Sequence, residues 1–131
     1  MNNDKLKFRV WNTREKQYLN TADLYIDSNG ALCTQMLFCG KNQIFRDVDN
    51  NYNIVEQCTG LKDCDGKLIY EGDILQTPSN TYFVRHDEKT CGFVCEYHLD
   101  DHMGLLLHSD LTFKKYRIVG NIHENPELID R

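Results

Sequence analysis

The sequence contains no long apolar run. No stretch approaches the roughly 18 apolar residues that a membrane helix requires. The opening residues, Met1-Asn2-Asn3-Asp4-Lys5, lack the apolar segment of a secretory signal, so a cytoplasmic protein is expected. Positive charge is also scarce. Fifteen Lys and Arg stand against 20 Asp and Glu, giving a formal net charge of −5 and a pI of about 5.4. Coating nucleic acid by phosphate neutralisation needs clustered cations, and the densest basic stretch is only Lys114-Lys115-Tyr116-Arg117. Nucleic acid is therefore disfavoured as a general partner. Internal repeats, low-complexity segments and a Ser/Pro/Gly-rich linker are missing too, so one folded body is expected.

The composition that remains is globular. At 131 residues the chain can bury about two-thirds of its unfolded surface, enough for a core without metals or disulfides. Hydrophobic residues at 40% and charged residues at 27% argue against global disorder. The six cysteines are Cys33, Cys39, Cys58, Cys64, Cys91 and Cys95. Without an export signal they are expected to stay reduced and to serve mainly as packing residues.

Periodicity is mostly that of strands. Lys5 to Trp11 alternates polar and apolar, which places Leu6, Phe8 and Val10 on one face. Leu24-Tyr25-Ile26, the turn Asp27-Ser28-Asn29-Gly30 and Ala31-Leu32-Cys33 read as a hairpin. The polar stretch from Lys41 to Asn53 reads as a loop anchored by Ile44, Phe45 and Val48. Strands are expected again over Tyr52–Cys58, Gly72–Gln76, Thr81–His86, Cys91–Tyr97 and Thr112–Val119. A turn is expected from Gly60 to Gly66, and Leu99 to Leu111 is open between a short helix and a loop. Short strands eight to twelve residues apart, separated by turn signals, indicate a mainly β fold with a small barrel or sandwich.

Several constellations could carry chemistry. Cys91, Cys95, His98 and His102 are of the types that hold zinc, but a structural site favours two-residue knuckles. On a strand, Cys91, Phe93 and Cys95 would share one face, which suits core packing equally well. Tyr70-Glu71-Gly72-Asp73 sets two acids beside an aromatic. The stronger reading is a strand start, with Asp73 capping backbone N–H groups and Gly72 allowing close chain passage. Asp47-Val48-Asp49 opens like a calcium loop, but Tyr52 and Cys58 stand where Gly and Glu are required. Gly60 to Lys67 misses the phosphate-binding spacing. Ser28, Ser79 and Ser109 lie in turn contexts without a nucleophile motif. Trp11 is expected in packing, and Tyr82, Phe83, Phe93, Tyr97 and Tyr116 have too few cations around them to form a base-stacking platform.

Three stretches go further: Lys7-Phe8-Arg9-Val10-Trp11-Asn12, Cys58 through Ile74 with Ile69-Tyr70-Glu71-Gly72-Asp73-Ile74 at its centre, and Ile118 through Leu128 with Gly120-Asn121-Ile122-His123. In this order, over nearly the whole chain, they resemble the YopX family of phage and prophage proteins. Cys64 and His123 depart from the family pattern, where a polar turn residue and an aromatic are more usual. The resemblance implies a β-rich N-terminal half over 1–57, closely packed with an SH3-like small barrel over 58–131, and a phage or prophage origin. It implies no particular reaction, no cofactor and no catalytic residues. The expected role is that of a non-enzymatic accessory protein whose partner is a host or phage protein or its own copies, with Trp11, Tyr70, Glu71, Asp73 and Asn121 as candidate surface. A nucleic-acid-binding barrel is the alternative, and an unrecognised enzyme near Glu71, Asp73 and the histidines comes third.

Overall fold

The computed structural model describes residues 3–46, 51–78, 80–89, 91–97, 105–106 and 116–129. Strands dominate them: β1 (Phe8–Asn12), β2 (Gln17–Tyr18), β3 (Leu24–Ile26), β4 (Leu32–Phe38), β5 (Lys41–Arg46), β6 (Asn53–Lys62), β7 (Leu68–Tyr70), β8 (Asp73–Gln76), β9 (Thr81–Asp87), β10 (Gly92–Tyr97), β11 (Leu105–Leu106) and β12 (Arg117–Asn121). Helix is confined, among these residues, to single 3-10 turns such as Asp4–Leu6 and Pro126–Leu128. None is long and apolar enough to cross a membrane. The fold is mainly β. The chain divides into two compact units, a larger one of Met1–Phe8 with Glu56–Arg131 and a smaller one of Arg9–Val55.

In the smaller unit β1 pairs with β2 through Trp11↔Tyr18 and Asn12↔Gln17, and the Trp11 and Tyr18 rings meet edge-on at 5.0 Å. Val10, Trp11, Leu32 and Cys33 are buried. A three-stranded antiparallel sheet follows in the order β3-β4-β5. Its first turn closes on Asp27, whose Oδ1 accepts from the N–H groups of Asn29 and Ala31 at 2.9 Å each. The second hairpin corrects the sequence reading, in which Lys41 onward was a loop. Residues 41–46 form β5, in register with β4 from Phe38↔Lys41 to Cys33↔Arg46. The reversal needs only Cys39 and Gly40, both at positive φ (51° and 74°). A two-residue turn of that hand matches strand twist, but cysteine is not one of its usual signals.

The larger unit holds a five-stranded antiparallel sheet in the order β11-β10-β9-β8-β12. Its core is Ile69, Leu75, Tyr82, Val84, Cys95 and Tyr116, with Leu61, Phe93 and Ile118 packed against it. Tyr82 and Tyr116 contribute an edge-on pair at 5.5 Å. β7 folds back on β6 through Cys58↔Tyr70 and Lys62↔Leu68, with a register shift between them.

Three further expectations are corrected here. Leu6 belongs to a 3-10 turn and is 77% exposed, so it does not share a buried face with Val10. The turn expected from Gly60 begins at Asp63 instead, because Gly60, at φ 81°, is absorbed into β6. Cys91 stands outside β10, exposed and at φ 54°, because the chain must reverse between β9 and β10. It therefore does not share a strand face with buried Cys95. His98, His102, Ser79, Ser109, the Asp47–Asn50 segment, residues 112–115 and all of Leu99–Leu111 except Leu105 and Leu106 lie outside the described residues.

Candidate functional site

The candidate residues of the larger unit converge where β7 turns into β8 and the end of β12 runs alongside. Asn121 is in register with Asp73 across the β8–β12 ladder. Between them sits Gly72, at φ 83°, whose N–H donates to Val84 O at 2.8 Å and whose carbonyl accepts from Ile122 N–H at 2.8 Å. A Cβ on Gly72 would run into the carboxylate of Glu56, which would have to move aside. One residue thus ties β9 and the chain after β12 to the turn, and only glycine adopts its backbone conformation without strain.

The acids around this turn are bound to backbone. Asp73, 3% exposed, accepts from Tyr70 N–H through Oδ2 at 2.8 Å. Glu71 accepts from Gln57 N–H at 2.9 Å, and its own N–H donates to Gln57 O at 3.0 Å. Asn121, at the surface limit of burial, takes the N–H groups of His123 (3.0 Å) and Glu124 (2.9 Å) on Oδ1. Asn125 then returns its Oδ1 to Asn121 N–H at 3.3 Å. A buried carboxylate or amide that accepts several backbone donors fixes a turn, because leaving those donors buried and unmet would cost about 1–3 kcal/mol each.

Glu56 and His123 join this node although no sequence signal singled out Glu56. Glu56 Oε2 and His123 Nε2 lie 3.1 Å apart, with only 5% and 14% of their side chains exposed. A carboxylate paired with an imidazole is a component of acid–base catalysis. Here, however, the carboxylate is packed on Gly72 and the His123 backbone is held by Asn121. The one available hint at Glu56 was the alternation of β6, which turns that position inward between exposed Val55 and Gln57.

A second polar anchor lies at the β6–β7 turn. Asp63, 6% exposed, accepts from Asp65 and Lys67 N–H on Oδ1 (2.9 Å each) and from Ile118 N–H on Oδ2 (3.1 Å). Burial acts to raise this carboxyl, but the three backbone donors, Ile118 foremost, outweigh it and hold it below the usual aspartate value. Next to it, exposed Cys64 and Asp65 face Arg117, whose guanidinium is raised by the Cys64 hydrogen bond and by Asp65.

The thiols divide by position. Cys33, Cys58 and Cys95 are buried and Cys39, Cys64 and Cys91 exposed, all of them free. Burial pushes both Cys58 and Cys95 up, against partial relief from Gly60 N–H and from the Tyr116 hydroxyl respectively. Neither is activated as a nucleophile. Of the metal candidates, Cys91 and Cys95 are held in unlike environments, and no group of three or more His, Cys, Asp and Glu among the described residues is placed to hold a metal ion. Trp11 belongs to the smaller unit, packed edge-on against Tyr18, which also carries the Arg9 guanidinium 4.5 Å from its ring centre.

The segments that build this node and the Asp63 turn match a known family model, that of the YopX protein, over residues 7–130. The chain belongs to the YopX family. Among solved structures, this YopX chain is similar to the crystal structure of protein EF1440 from Enterococcus faecalis, with 28% identity over 95% of this chain and 97% of that one and a TM-score of 0.62. It is also similar to protein yopX from Bacillus subtilis, with 18% identity over 95% of each chain and a TM-score of 0.58, a likeness of fold alone. No curated protein matches. The three YopX-like stretches are also where the polar anchoring lies. The first supplies Lys7 O, which accepts from Cys58 N–H at 2.9 Å, the second Asp63, Gly72 and Asp73, and the third Asn121 and Asn125. The resemblance therefore traces residues that fix backbone.

Proposed function

We propose that this YopX-family chain is a phage- or prophage-derived accessory protein that works through protein interaction or self-assembly, without catalysing a reaction. The observation that carries this reading is the commitment of its buried acids and amides to backbone donors: Asp63, Asp73 and Asn121 each hold a turn. The raised thiols of Cys58 and Cys95 point the same way. On this reading the five-stranded sheet, with β6 and β7, builds an SH3-like small barrel that presents a surface to a host or phage protein or to a second copy. The family supports the origin, and the antiparallel order of short strands supports the barrel.

The charge distribution favours this role over nucleic-acid binding. The larger unit carries ten basic and fifteen acidic residues and the smaller one five of each, so the whole net charge of −5 sits on the barrel-bearing unit. Phosphate contacts there would meet like charge. A native mass spectrum of the purified chain is the test. A mass at a multiple of 15.4 kDa with no added small molecule is expected, or a monomer that captures one defined protein. A monomer carrying a stoichiometric nucleotide or zinc would overturn the reading.

A further inference from the structure

We infer that the tip of the β1–β2 hairpin, where Arg14 lies over the Tyr52 ring, docks the acidic turn Pro126–Leu128 of a second copy of this chain, so that copies join head to tail. The inference rests on the interaction reading above and names its partner. The tip is fixed by its own hydrogen bonds. Asn12 Oδ1 accepts from the Arg14 and Glu15 N–H groups at 3.0 and 2.7 Å, Asn12 O accepts from Lys16 N–H at 2.8 Å, and Tyr52 O accepts from Thr13 N–H at 2.8 Å. The Arg14 guanidinium carbon stands 5.3 Å from the centre of the Tyr52 ring, and Tyr52 is 42% exposed. Arg14 and Lys16 are exposed too, and neither makes an ion pair among the described residues. A guanidinium held over a ring gives up little further freedom on binding and keeps planar N–H donors for a carboxylate.

The turn offers the complementary set. Glu124, Pro126, Glu127 and Leu128 are exposed, Leu128 to 36%, and neither carboxylate is in an ion pair among the described residues. Asn125 holds the turn in place: its carbonyl accepts from Leu128 N–H at 3.1 Å and its Oδ1 from Asn121 N–H at 3.3 Å. Charge selects a second copy as the occupant. Residues 9–18 carry three cations, Arg9, Arg14 and Lys16, against Glu15 alone, whereas residues 121–130 carry Glu124, Glu127 and Asp130 and no Lys or Arg. Two larger units face to face would confront −5 with −5. A hairpin tip set on this turn instead brings opposite signs together and lays Leu128 against the Tyr52 ring. The two surfaces differ, so the contact is heterologous and every copy offers one of each.

Sedimentation of the full chain over a range of concentrations tests the contact. The wild type should associate, and both Arg14→Glu and Glu127→Arg should associate at least about tenfold more weakly. Lys41→Glu, which reverses another exposed cation of the smaller unit, should leave association unchanged. An equimolar mixture of the two weakened variants should associate again, because each reversed charge then meets its opposite. Wild-type association that neither reversal weakens would overturn this contact and leave the interaction reading standing. A wild type that stays monomeric also overturns it, and the interaction reading then needs a foreign partner. Should either variant misfold, carbodiimide coupling of a mixture of isotope-labelled and unlabelled wild type decides. Lys16 should be joined to Glu124 or Glu127 of a different copy, and the absence of any such mixed cross-link overturns the proposal.

Discussion

The two units reach order by different means. In the larger one, polar side chains are drawn inside to hold turns: Asp63, Asp73, Glu56 and Asn121 are all buried or nearly so. An aromatic-rich core of Ile69, Leu75, Tyr82, Val84, Cys95 and Tyr116 lies between the strands. In the smaller unit the turns are local devices at the surface. Asp27 serves Asn29 and Ala31, and Asn12 serves Arg14 and Glu15 through Oδ1 at 3.0 and 2.7 Å. The first arrangement links residues far apart in sequence, such as Asp63 with Ile118 or Glu56 with His123. The second spans two to four residues, apart from the Asn12 Nδ2 group, which also donates to Asn53 Oδ1. Long-range polar anchors specify one tertiary arrangement, whereas local turns specify only where a hairpin reverses. The larger unit should therefore be the more sensitive to single substitutions at polar and glycine positions.

The sharpest way to break this contrast is Gly72→Ala. The left-handed backbone alone costs about 1–2 kcal/mol, and the new Cβ displaces the Glu56 carboxylate, so a loss of about 2–4 kcal/mol is expected in denaturant unfolding. A wild-type midpoint would mean that the Gly72 node does not hold the larger unit. Next comes Asp63→Ala, which strands the Ile118 donor while the Asp65 and Lys67 donors, on exposed residues, turn to water; it should cost about 1–3 kcal/mol at neutral pH. Because the Asp63 carboxyl is held below its usual value, its stabilisation is full above the unfolded value of about 3.9 and is lost as pH falls through the lower folded value. The gap between wild type and variant should thus narrow on acidification below about pH 4, and a gap constant to pH 2 would sink this account. The smallest effect belongs to the smaller unit. Cys39→Asn puts a favoured residue at the first position of the β4–β5 turn and should stabilise by about 0.5–1 kcal/mol, read as a slight rise in melting temperature. A loss of stability there would show that the Cys39 side chain matters beyond its turn.

Much of the fold was legible wherever hydrophobic alternation and ordinary turn residues coincide. The Asp27–Gly30 hairpin, the β8–β9–β10 succession and the mainly β class all follow from such signals, and the three family stretches identified the relatives. Failures occurred where a residue does something its type does not advertise. Cys39 and Cys91 adopt positive φ, so β5 read as a loop and Cys91 read as part of a strand. Gly60 was taken for a turn but lies within β6, because one glycine cannot by itself distinguish a bend from a bulge. Of the node, Tyr70, Glu71, Asp73 and Asn121 were singled out in advance, but Glu56 and its partnership with His123 were not. A charged residue in a strand reads as solvent-facing until the partner 67 positions away is known.

The even division of the cysteines makes the molecule a gauge of its own integrity. Three thiols stand at turns in contact with solvent and three are enclosed by packed strands. A protein with a single tryptophan thereby carries a chemical counter. A mild thiol reagent meets Cys39, Cys64 and Cys91 on the intact chain and reaches Cys33, Cys58 and Cys95 only where the strands have parted. Cys33 reports from the smaller unit and Cys58 and Cys95 from the larger, so the order in which the enclosed thiols yield records which unit loosens first.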